Sequence, residues 1–112
     1  MDYGLKDKRV LVTGSAGGMG KSLAKVFDDE GAYVILHGRE AERDLLEEVL
    51  GEMSRGEYVM ADFADEASVE RMWEQVGSVD ILVNNAGIWP TAYVKDMTAD
   101  AFRRTMEINM IA

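Results

Sequence analysis

Short apolar runs alternate along this chain with stretches in which apolar residues recur every three or four positions. Arg9-Val10-Leu11-Val12-Thr13 is β-branched, apolar at successive positions and stops at Gly14, as a strand covered on both faces requires. Met19, Leu23, Val26 and Phe27 then fall at i, i+4, i+7 and i+8, one face of a helix. Gly31 stands where that helix should stop. Ala32 to Leu36 predicts a second strand, and Leu45, Leu46, Val49, Leu50 and Met53 line a second helix that Gly51 or Gly56 helps to end. Tyr58-Val59-Met60 predicts a third strand. Asp65 can cap a third helix with the stripe Val69, Met72, Trp73 and Val76, closed by Gly77. Val79 to Val83 predicts a fourth strand, and Thr98 can cap a fourth helix carrying Phe102, Met106 and Met110. The order is β-α-β-α-β-α-β-α, which predicts an α/β fold with parallel strands and right-handed crossovers.

Composition narrows the chemistry. The 112 residues suit one domain, 1–112. Twelve basic against 21 acidic residues give a net charge of −9, which argues against nucleic acid and against anionic membranes. The acidic cluster Glu40, Glu42, Asp44, Glu47 and Glu48 reads as the wet face of the second helix. The absence of cysteine excludes disulfides, thiolate zinc sites and cysteine nucleophiles, and the lone His37 excludes a multi-histidine metal site. No apolar run approaches a membrane span, and no secretion signal is visible at the start, so the expectation is a soluble cytoplasmic domain.

One segment carries a specific signal. Thr13-Gly14-Ser15-Ala16-Gly17-Gly18-Met19-Gly20 joins the first strand to the first helix, with four glycines in seven residues. A glycine-rich turn there leaves backbone N–H groups free at a helix N-terminus, where the helix dipole favours a pyrophosphate. Two spacings fit. Gly14, Gly18 and Gly20 read T-G-x-x-x-G-x-G, whereas Gly14, Gly17 and Gly20 read G-x-x-G-x-x-G. Neither composition nor periodicity chooses between them.

A second motif, Asn84-Asn85-Ala86-Gly87, follows the fourth strand. With T-G-x-x-x-G-x-G after the first strand, the pair resembles the short-chain dehydrogenase/reductase family over nearly the whole chain, from Leu5 onward. The resemblance implies a Rossmann-type parallel sheet of strand order 3-2-1-4, truncated before its second half, with the fourth strand at an open edge. It implies a nicotinamide dinucleotide held by Gly14, Ser15, Gly18, Met19 and Gly20. Asp62 and Phe63 match the adenine-contacting pair, and Asn85, Ala86 and Gly87 would pass close to the adenosine ribose. Ile88-Trp89-Pro90 would begin a loop beside the nicotinamide. After the second strand, NAD-preferring relatives place an acid, where this chain has Gly38 followed by Arg39. No carboxylate there repels a 2′-phosphate, and Arg39 offers a guanidinium to one, so NADP(H) is expected over NAD(H). Many NADP-using relatives carry a further basic residue where this chain has Gly17. His37 reads as a strand-end residue near the adenine.

Family members transfer hydride between cofactor and a carbonyl or alcohol, using a serine and a Tyr-x-x-x-Lys pair. Four residues after Tyr3, Tyr33, Tyr58 and Tyr93 stand Asp7, His37, Asp62 and Met97, and no serine follows Ser78. Asn109 alone matches a catalytic position, the asparagine of the proton relay. The chain looks like the cofactor-binding half of such an oxidoreductase, inactive by itself, marginally stable or self-associating as a homo-oligomer through its open edge. A non-catalytic nucleotide-binding module and a purely structural half-fold are the alternatives.

Overall fold

The computed structural model describes residues 3–86 and Asp100. The chain runs β1 (Arg9–Val12), α1 (Gly18–Asp29), β2 (Tyr33–Gly38), a 3-10 turn (Glu40–Glu42), α2 (Arg43–Gly51), β3 (Gly56–Met60), α3 (Glu66–Val76) and β4 (Ile81–Val83). All pairings are parallel and the sheet order is β3-β2-β1-β4, the order the resemblance implies. The expected fourth helix, with Phe102, Met106, Asn109 and Met110, lies outside the described residues, as do Gly87 and the loop from Ile88 to Pro90.

Strand alternation distributes the core over both faces of the sheet. Val10, Val12, Val34 and Leu36 pack with Ala24 of α1 and with Leu46 and Val49 of α2. Leu11, Ile35 and Val59 point the other way and meet Met72 and Val76 of α3. Consecutive residues are therefore buried in β1 and β2, which is why their sequences read as unbroken apolar runs. Asp65 caps α3 by accepting the Ala67 N–H at 3.1 Å, and Gly77 ends the helix at φ 73°, as expected.

The structure corrects half of the first helical stripe: Leu23 and Phe27 pack part-buried against the core, but Met19 and Val26 do not. Met19 is 72% exposed and Val26 57% exposed, whereas Gly20, Ala24 and Asp28 form the buried face. Small residues win that face because α1 must lie close to the sheet where the glycine turn delivers it, leaving the bulkier side chains on its flanks. Leu45 is likewise turned half out of the core, with Leu46 and Val49 fully covered. The second strand runs further than the apolar run suggests and takes in His37 and Gly38. No helix among the described residues is long and apolar enough to cross a membrane.

Asp28 is a charged residue on a buried face, and its partners explain it. Its carboxylate accepts the Ser54 N–H at 2.9 and 3.1 Å and lies 3.3 Å from the Ser54 hydroxyl. This ties the end of α1 to the turn between α2 and β3. Asp28→Ala removes a charged acceptor and is expected to cost about 2 kcal/mol, measured as a shift in the urea unfolding midpoint, with Asp28→Asn losing less.

Candidate functional site

The C-terminal ends of β1, β2, β3 and β4 converge on the glycine turn between β1 and α1. In an open parallel sheet a ligand cleft forms at this edge, where successive connections leave toward opposite faces. Here α1 follows β1 on one face, and α3 follows β3 on the other.

The turn itself resolves the ambiguity of spacing. Gly14 and Gly18 sit at φ 63° and 58°, in the left-handed region that favours glycine. A Cβ on Gly14 would lie 2.9 Å from the Ala86 Cα, and one on Gly20 would lie 2.6 Å from the Asn85 Nδ2 and still closer to the Gly14 carbonyl oxygen. Gly17 is different. Its backbone is extended at φ −172°, and a Cβ there would meet nothing within 4 Å. Gly14, Gly18 and Gly20 are thus the required glycines, the T-G-x-x-x-G-x-G reading.

Gly17 is the N-cap of α1 and supplies no side-chain cap, and the first turn carries no acid. The first hydrogen bond into the helix comes from Lys21 N–H to the Gly17 carbonyl, at 3.3 Å. The preceding amides of the first turn have no helical acceptor. Gly17, Gly18 and Met19 are exposed at the positive end of the helix, with Gly20 buried behind them. The arrangement fits an anion, and a side chain at Gly14 or Gly20 would push the turn away from Ala86 and Asn85.

Two further elements hold the turn in place. Thr13 Oγ1 accepts the N–H groups of both Asn85 and Ala86 at 2.9 Å, and Asn85 Nδ2 donates to the Gly14 carbonyl at 3.1 Å. The Asn-Asn-Ala segment is in this way a lock between β4 and the turn. Ser15 is fully buried. Its hydroxyl donates to the Val12 carbonyl and accepts the His37 N–H, both at 2.9 Å, while its own N–H donates to the His37 carbonyl at 2.8 Å. Its polar groups are committed to the protein, so Ser15 shapes the turn.

His37 joins what the sequence leaves separate. Its Nδ1 accepts the Gly14 N–H at 2.9 Å, which makes Nε2 the protonated nitrogen, donating to the Ala61 carbonyl at 3.0 Å. Its ring stacks on Phe63 with centroids 4.4 Å apart and 15° between planes. One buried imidazole therefore connects the glycine turn to the end of β3. Burial lowers its pKa below the ordinary 6.5, against smaller upward effects of the Ala61 carbonyl and the Glu42 charge. The signal for this role was its parity: on β2 it shares a face with Ile35, so its ring had to turn inward.

The predicted adenine pair is arranged unequally. Asp62 is exposed, with its N–H donating to Ser68 Oγ and its Oδ1 accepting the Ala64 N–H, both at 2.9 Å. Phe63 is half-buried, its ring stacked on His37 and packed on the α3 side of the core. Arg39 is exposed immediately beyond β2, and Gly38 is buried with Leu46 directly over it. Beside Asp62, a cavity of about 600 Å³ opens between Glu40, Met60 and Ala61 and the α3 residues Ser68, Arg71, Glu74 and Gln75.

Comparison with known proteins agrees with this geometry. Residues 8–112 match the short chain dehydrogenase family. Similar curated proteins include an uncharacterized oxidoreductase, YvrD, of Bacillus subtilis, 38% identical over all of this chain and 44% of its own length. Another is the L-xylulose reductase of Mesocricetus auratus, 35% identical over all of this chain and 45% of its own length. The NAD-dependent glycerol dehydrogenase of Listeria innocua is 31% identical over 97% of this chain and 44% of its own length. Among solved structures, L-sorbose reductase from Gluconobacter frateurii, complexed with NADPH and L-sorbose, superimposes with a TM-score of 0.87 at 29% identity, covering 99% of this chain and 45% of that one. A short chain dehydrogenase from Burkholderia cenocepacia in complex with NADP gives 0.78 at 32% identity, covering 96% and 46%. The chain belongs to the short chain dehydrogenase family, an oxidoreductase family, and spans under half the length of these relatives.

Two outcomes test the site's construction. Gly20→Ala should destabilise the protein by about 2 kcal/mol or more, because its Cβ meets backbone that cannot yield. Gly17→Ala should stay within about 0.5 kcal/mol. Thermal unfolding of both variants separates the two glycines.

The second concerns pH. The folded state binds fewer protons at His37 than the unfolded state does, because its folded pKa is the lower one. The stability this contributes is present above pH 6.5 and declines as pH falls through 6.5 toward the folded pKa. The slope is at most about 1.4 kcal/mol per pH unit. The pKa values of Asp7 and Glu52 are lowered from 3.8 and 4.5, below both pH values at which stability is measured. Urea midpoints at pH 7.5 and 5.5 should differ more for the native protein than for His37→Gln.

Proposed function

We propose that this chain is the NADP(H)-binding part of an oxidoreductase that interconverts a carbonyl and an alcohol. The observation that carries the reading is the uncapped N-terminus of α1, entered through a turn that requires glycine at 14, 18 and 20, with Arg39 exposed at the end of β2. The amides around Gly18, Met19 and Gly20 would receive the diphosphate, and Ser15 would hold their turn. Asp62 and the Phe63 backbone would meet the adenine. Asn85, Ala86 and Gly87 would border the adenosine ribose. Arg39 would bind the 2′-phosphate, where an acid would repel it. NADP-complexed neighbours support this choice.

The bound cofactor supplies or accepts the hydride. This chain's residues position it and keep its charged groups paired. Catalysis would also need the serine and the Tyr-x-x-x-Lys pair that this sequence lacks, with Asn109 as the relay asparagine. We therefore assign no turnover to these 112 residues alone. Self-association accompanies the proposal, supported by Leu82 on β4, 41% exposed on a strand that pairs with β1 alone among the described residues. A cytoplasmic setting is proposed on the cysteine-free composition.

Titration calorimetry tests the cofactor assignment. NADPH should bind more tightly than NADH, and Arg39→Ala should weaken NADPH by about ten-fold or more while NADH changes little. Equal losses for both would remove Arg39 from the 2′-phosphate, and no binding of either would end the proposal.

A further inference from the structure

The group that would grip the 2′-phosphate already holds an anion. Glu42 Oε1 accepts the Arg39 backbone N–H at 2.9 Å and lies 3.4 Å from the Arg39 Nε. The 3-10 turn Glu40–Glu42 brings this about, since it folds residue 42 back over residue 39, and the Glu42 N–H donates to the Arg39 carbonyl at 2.8 Å. Arg39 is extended as the cap of that turn, so its N–H and its side chain converge on one point. That point lies just beyond Gly38, and the donors that Glu42 occupies there are ones Arg39 would otherwise offer to a phosphate esterified to the ribose. Arg43 is paired with Glu40 at 2.9 and 3.1 Å and does not relieve the competition.

We infer that Glu42 is a specificity-determining residue, an internal carboxylate that competes with the 2′-phosphate for Arg39 and so narrows the protein's preference for NADP(H) over NAD(H). The inference rests on the cofactor reading above and adds a second residue to it. A dianionic phosphate must either displace Glu42 or share the guanidinium with it, and both cost binding free energy that NAD(H), lacking the phosphate, does not lose. The sequence-derived view of residues 40 to 48 as one wet acidic face missed this. Glu42 is turned inward far enough to be only part-exposed, and its charge also reaches His37.

Glu42→Gln separates charge from shape, because the amide oxygen can still accept both Arg39 donors. The variant should bind NADPH roughly two- to five-fold more tightly than the native protein, with NADH affinity unchanged, and the gain should shrink as salt is raised. The double variant Arg39→Ala/Glu42→Gln should show no such gain. If Glu42→Gln binds NADPH no better, or binds both nucleotides better to the same extent, Glu42 is not a competitor and the inference is overturned while the cofactor site stands. If the native protein binds neither nucleotide, the cofactor reading fails and this inference with it. Unfolding midpoints for each variant establish that the affinities belong to folded protein.

Discussion

The site depends on a close approach that side chains would forbid. The first turn of α1 lies against the Gly14 carbonyl and the Asn85 amide because Gly20 has no Cβ, and Ala86 lies against Gly14 for the same reason. This contact sets the height of the helix above the sheet. It also selects the buried face of α1, where Gly20, Ala24 and Asp28 displace the larger residues that a hydrophobic stripe would have placed there.

Much of this was legible in sequence, and the failures share a cause. The alternation of β1 and β2 with helical stripes predicts the parallel sheet, and the family resemblance carried by the paired motifs implies its order. Asp65 and Gly77 mark the ends of α3 for local reasons. Met19 and Val26 were misplaced because hydrophobicity alone does not report how closely a helix must approach its sheet. The roles of His37 and Glu42 were hidden because each depends on a partner supplied by another connection. Ser15 was assigned to the ligand, whereas its hydroxyl and N–H are spent within the turn.

The polar groups of the cleft fall into two sets. Thr13, Ser15, His37 and Asn85 are satisfied by backbone groups and fix geometry. The amides at the start of α1, the exposed Asp62 carboxyl and the Arg39–Glu42 pair lie at exposed or part-exposed positions and can exchange partners. Rigid backing with exchangeable groups in front is what pre-organised recognition of a charged ligand requires.

The lock on Thr13 has a consequence for how the molecule assembles. β1, α1, β2, α2 and β3 are successive neighbours, so their pairing closes short stretches of chain. The bonds from Asn85 and Ala86 to Thr13 span 72 and 73 residues, and β4 reaches β1 only by bridging the same interval. Loop-closure entropy weighs most heavily on that step. The three-strand portion of the sheet can thus gather before the fourth strand arrives, and the cradle acquires its final shape with the most distant pairing in the described chain.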